Sequence, residues 1–81
     1  RERRWKRRDE IVLVRAADPS VLATAIRESE VLRDQGLMVE LDLSYRSYAQ
    51  AMEYAQAKGI RRISTVDSGG KVAYRDVPER Q

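Results

Sequence analysis

Residues 11–20, IVLVRAADPS, decide the fold. The first six are a β-branched apolar run with no alternation. That is the pattern of a strand buried on both faces, as in the middle of a parallel sheet. Asp18 then offers a capping carboxylate, and Pro19 stands where its missing N–H loses no partner. A strand that passes straight into a helix opens a βαβ unit.

The rest of the chain extends this unit. The first helix is expected over about 19–35. Leu22, Ala25, Ile26, Ser29 and Leu32 form its apolar stripe, Val21 lies at the margin, and Gly36 ends it. Residues 38–43, MVELDL, alternate: Val39, Leu41 and Leu43 face one way, Met38, Glu40 and Asp42 the other. That predicts a half-buried edge strand. Ser47 and Gln50 form a capping box for a second helix over about 48–58. Its stripe is Tyr48, Ala51, Met52 and Ala55, and Gly59 ends it. RISTV (62–66) and KVAYRDV (71–77) are the last two strands, and Pro78 closes the pattern.

The order β-α-β-α-β-β predicts an α/β domain with right-handed crossovers. The unalternated first strand belongs in the centre. The sheet order is then 2-1-3-4, mixed, with strand 4 antiparallel and a helix on each face. No internal repeat interrupts it.

Composition bounds the function. Eighty-one residues suffice for one small domain. The chain starts at Arg1 and is read as a fragment of a longer one. There is no Cys and no His, so thiolate zinc sites, Cys nucleophiles and the commonest general base are excluded. No apolar run approaches the ~20 residues of a membrane span, and a soluble, cytoplasmic protein is expected. The net charge is +3, and its location matters more than its size. Residues 1–10, RERRWKRRDE, hold six Arg/Lys against three Asp/Glu. Residues 11–81 hold ten of each and form one neutral domain behind a basic linker or arm. A neutral domain lacks the overall charge on which phosphate-backbone affinity usually rests.

Three places carry candidate chemistry. VDSGGKV (66–72) resembles a phosphate loop, but no helix follows Gly70, and Lys71 is followed by Val72 rather than Ser or Thr. It reads as a hairpin turn. The crevice between strands 1 and 3, where strand order reverses, is rimmed by Ala16, Ala17, Asp18 and the region of Val66 to Ser68. It offers no base and reads at most as a weak binding rim. The connection holding Asp42, Ser44, Tyr45 and Arg46 is the most polar, and these four are the candidate partner-contact surface. Ser47 beside them is a helix cap. Tyr45, Tyr48, Tyr54 and Tyr74 are aromatics of the kind enriched in interfaces, with Tyr48 expected in the core. No catalytic, cofactor or metal residue is assigned.

LRDQGLMVELDLSYRSYAQAMEYAQAKGIRRISTV (32–66) resembles the C-terminal anticodon-binding domain of class II tRNA synthetases, above all histidyl-tRNA synthetase. Leu32-Arg33, Gly36, Asp42, Ser47, Ala55 and Gly59 fall in the matching places. The synthetases usually carry Gly-x-x-Glu after the third strand and a further helix. Here Val66-Asp67-Ser68-Gly69-Gly70 stands instead, and the chain stops before such a helix. VELDLSYRS and YAQAKGIRRI look like a paralogous family, the regulatory subunit of ATP phosphoribosyltransferase. That resemblance implies a non-catalytic domain in histidine biosynthesis. It implies assembly with the short catalytic subunit as a hetero-oligomer, and a part in feedback control by histidine. The alternative it leaves is an anticodon-binding domain, and only then is tRNA a partner.

Overall fold

The computed structural model describes residues 11–78. The basic run 1–10, with Trp5, lies outside the described residues. Four strands and two helices follow one another: β1 (Ile11–Ala16), α1 (Leu22–Asp34), β2 (Met38–Asp42), α2 (Tyr48–Lys58), β3 (Arg62–Val66) and β4 (Val72–Asp76). The sheet order is β2-β1-β3-β4. β1 pairs parallel with β2 and with β3, and β4 returns antiparallel along β3. The predicted topology is therefore the observed one. Among the described residues no helix is long and apolar enough to cross a membrane.

β1 sits between the two helix layers. Val12, Val14 and Ala16 point to one face and pack with Val21, Ala25, Leu32 and Val66 under α1. Leu13 points to the other and packs with Ala51, Ala55, Ile60, Ile63 and Val77 under α2. The unalternated run is explained by this: both faces of the central strand are covered.

Local signals set the helix ends. Asp18 caps, but it caps a single 3-10 turn over Pro19–Val21, and α1 begins only at Leu22. The turn shifts the apolar stripe. Val21, placed at the margin from the sequence, is buried, while Ile26 is 39% exposed. At the other end the Leu37 N–H reaches back to the Leu32 carbonyl (3.2 Å) and the Gly36 N–H to that of Arg33 (2.9 Å). With Gly36 at φ +90°, this is a Schellman closure. The Ser47–Gln50 capping box forms in both directions, and Gly59 ends α2 in the left-handed region.

Three side chains depart from the expected pattern. Leu43, placed on the buried face of strand 2, lies beyond the end of β2 and is 59% exposed. Asp42, placed on the opposite face, is buried at 7% exposure. That face is covered at the carboxyl end by Ser44 and Arg46 of the following loop, so the alternation is right and the assumption of solvent beyond it is wrong. Tyr48, expected in the core, is 40% exposed, because the first residue of α2 overhangs the sheet end.

Candidate partner-contact site at the carboxyl ends of the strands

The DSGG turn is a hairpin. The Asp67 N–H donates to the Lys71 carbonyl (2.9 Å), and the Gly70 N–H donates to the Asp67 carbonyl (2.8 Å). Gly70 has φ +84°, which a side chain would strain. One Asp67 carboxylate oxygen accepts from the N–H groups of Gly69 and Lys71, each at 2.9 Å. The backbone donors of a phosphate cradle are thus taken by the chain's own carboxylate.

The crevice between β1 and β3 is bridged as well. The Ala17 N–H donates to the Val66 carbonyl at 2.9 Å, continuing the ladder past the strand ends. Asp18 accepts from the Ser20 N–H (2.8 Å) and from the Ser20 hydroxyl. These bonds, and then one from Ser68, hold its carboxyl below the usual range. The predicted rim residues therefore bond to one another.

The connection from β2 to α2 is built differently. The buried Asp42 accepts from the Ser44 N–H (3.0 Å) and the Ser44 hydroxyl (2.7 Å) through one oxygen. Its other oxygen lies 3.4 Å from Arg46 Nε. Arg46 Nε also donates to the Ser44 hydroxyl at 2.8 Å. The Arg46 guanidinium stacks 4.2 Å above the Tyr54 ring, and the Tyr54 hydroxyl bonds Glu40 on β2. That bond to a carboxylate pushes the Tyr54 pKa up. Tyr45 sits at φ +54°, a conformation rare for a side-chain-bearing residue. Its ring packs against the α1-side core, which holds it there.

One residue of this site escaped the sequence reading. Arg15, in the carboxyl half of the central strand, is 7% exposed. Its Nη2 donates to the Arg46 carbonyl at 2.8 Å and its Nη1 to the Thr65 hydroxyl at 3.4 Å. Its Nε is buried without a hydrogen-bond partner, and its guanidinium lies 5.9 Å from the Tyr48 ring centre. The parallel register sets it beside Asp42 on one side and Thr65 on the other. A charged residue inside an unalternated apolar run was the signal that could have found it.

The four candidate residues are thus one loop, held from beneath by Arg15. Asp42 is interior and contributes by shaping the loop. Ser44 is exposed, Tyr45 and Arg46 are half-buried, and Leu43 and Tyr48 present apolar surface beside them.

No family model matches the chain. Among curated proteins, a histidine–tRNA ligase of Methanococcus maripaludis is 35% identical over 71 residues. The ligase of a second strain of that organism is 34% identical over 71 residues. Each alignment covers 83% of this chain and 17% of the relative. Over this stretch the chain is similar to part of a histidine–tRNA ligase. It spans about a sixth of the length of these ligases, and the synthetase-like stretch contains both βαβ units and the contact loop.

Proposed function

We propose that this histidyl-tRNA synthetase-like domain is the non-catalytic domain of an ATP phosphoribosyltransferase regulatory subunit. In that role it assembles with the short catalytic subunit in histidine biosynthesis and takes part in its control by histidine. The observation that carries the reading is the DSGG turn. Where the synthetases usually have Gly-x-x-Glu, this chain has an Asp67 carboxylate spent on its own backbone. A closed turn stands in place of that motif, while the scaffold is kept. The face offered to the catalytic subunit is the 43–48 loop.

The test is co-purification of the full-length protein with a short-form phosphoribosyltransferase, with activity assayed with and without histidine. A complex, weakened by Leu43→Asp, is expected. No complex and no effect on activity would remove the proposal.

A second reading is favoured by the relatives' own description as histidine–tRNA ligases. In it the domain binds a tRNA anticodon. It predicts saturable binding of the full-length protein to histidine tRNA but not to an anticodon-swapped transcript. Equal binding to both would rule it out.

A further inference from the structure

The two outer strands of the sheet differ in how they are covered. α1 packs on β2, and the side chains of Glu40 and Asp42 are taken by Tyr54 and by the loop that follows. On β4, Ala73, Tyr74, Arg75 and Asp76 are all exposed, so both faces of the strand are open. Its one tie to a helix is the Tyr74 hydroxyl, which bonds Glu28 of α1.

The β3–β4 ladder fixes which backbone groups of β4 face outward. In an antiparallel pair, residues that exchange both bonds with the partner strand alternate with residues whose N–H and C=O point away from it. The Asp67 N–H donates to the Lys71 carbonyl (2.9 Å), and the Val77 N–H donates to the Arg61 carbonyl (2.9 Å). Between these two bonds the register runs one to one. Lys71, Ala73, Arg75 and Val77 are therefore the residues bonded to β3. Val72, Tyr74 and Asp76 turn their N–H and C=O groups to the outer edge, where no strand pairs among the described residues. Such a row is a template for another strand. No Pro and no bulge interrupts it over Val72–Asp76.

The side chains make this edge complementary to itself. An antiparallel second copy centred on Tyr74 sets Tyr74 against Tyr74 and Val72 against Asp76, and every outward residue exchanges both of its bonds. The two Tyr74 rings, each 53% exposed in a single copy, then lie side by side on the α1 face as a cross-strand aromatic pair. On the α2 face Ala73 stands against Arg75, so no like charges are opposed. A slide of the copy by two residues one way sets Arg75 against Arg75, and the other way sets Arg75 against Lys71. Each slide also carries one outward residue past the end of the strand. β2 lacks this property: pairing about Glu40 or about Leu41 sets acid against acid, because Glu40 and Asp42 share a face.

We propose that two copies of this protein associate through β4, paired antiparallel about Tyr74, so that the two sheets become one. β4 lies at the edge of the sheet opposite β2 and the loop that follows it, so the association leaves the contact loop free and is independent of both functional readings above. One five-residue strand from each copy is a contact smaller than stable interfaces bury, and the association is weak and concentration-dependent.

The test combines sedimentation velocity with amide hydrogen exchange on the full-length protein, from about 5 μM to about 500 μM. The average mass rises with concentration. The amides of Val72, Tyr74 and Asp76 exchange more slowly as it does, while those of Ala73 and Arg75, bonded to β3, keep their rates. Ala73 is exposed, so its replacement leaves the fold intact, which circular dichroism checks. Ala73→Arg opposes two basic residues and abolishes the rise in mass. Ala73→Glu makes two equivalent ion pairs with Arg75 of the other copy and tightens association roughly two- to thirtyfold. Four outcomes overturn the proposal. They are a mass that stays constant, a rise in mass with no change at the three outward amides, equal protection of those amides at every concentration (the chain then covers its own edge), and a shift in the same direction by Ala73→Arg and Ala73→Glu.

Discussion

The two faces of the sheet are each covered by one helix, yet they are filled differently. Under α1 the central strand contributes Val12, Val14 and Ala16, and the buried layer carries no charge, its polar members being Ser29 and Ser64. Under α2 it contributes Leu13 and then Arg15. The layer is apolar at the amino ends of the strands, with Leu13, Ile63, Ile60 and Val77, and charged at the carboxyl ends, with Arg15 and Asp42. The first layer holds the domain together. The second does so over half its length and spends the other half positioning a loop. Burial of charge is costly without close partners, and in the polar half those partners come from the 44–46 loop.

The largest effect that tests this contrast is a cavity. Leu13 is fully buried between the sheet and α2, and Leu13→Ala is expected to cost about 2–5 kcal/mol. Leu32→Ala, under α1, should fall in the same range. Urea denaturation of both variants measures whether the two apolar layers are equal. A Leu13→Ala loss below about 1 kcal/mol would mean that the α2 layer is not a true core.

Asp42→Ala removes the acceptor for Ser44 and the counter-charge of Arg46. It takes away the acceptor the loop shares, and a loss of about 1–3 kcal/mol is expected by the same measurement. Combined with Arg46→Ala in a double-mutant cycle, the losses should be clearly non-additive, since the two share one network. Additive losses would show the loop to be independent of the pair.

Arg15→Met should cost less than either. A buried guanidinium with an unpartnered Nε pays its desolvation without full return, and methionine fills similar volume. The expected change is within about 1 kcal/mol of zero or stabilising. The amide of Arg46 should nevertheless exchange faster with solvent, because its carbonyl loses the Arg15 contact. Strong destabilisation would show that Arg15 is a structural residue, and the contrast between the faces would lose its functional meaning.

The smallest effect lies on the α1 side, where Tyr74 bonds Glu28 beyond the core. That bond, then burial, pushes its pKa up to about 12, above the ordinary tyrosine value of 10.0. The unfolded chain therefore gives up this proton at lower pH than the folded one. The stabilisation is complete below pH 10 and is lost as pH rises toward 12. Tyr74→Phe should flatten the fall in thermal midpoint over that window. An unchanged slope would place the alkaline sensitivity elsewhere.

Much of the scaffold was legible because its signals are local. Both glycine stops, the Ser47–Gln50 box and the Asp18 cap depend on a few neighbouring residues, and each formed. The sheet order followed from one contrast, an unalternated strand beside an alternating one. The stripe of α1 is as expected at Leu22, Ala25, Ser29 and Leu32; Val21, in the 3-10 turn that Pro19 opens, is buried and Ile26 is exposed. The contact loop was legible by composition alone. Its members were named from the sequence, but Asp42 was assigned to a surface it does not reach, and Arg15 was read as one more strand residue.

The sequence by itself determined the elements, their order, the hairpin at DSGG and the absence of His and Cys chemistry. Period, capping and turn residues act over distances shorter than one element. Tertiary structure alone decided that Arg15 and Asp42 meet in adjacent register, 27 positions apart in the chain. It also decided that Ser64, midway along β3, is buried beside Val14. Both are properties of which strand lies beside which, and parallel pairing brings together residues that no local pattern relates.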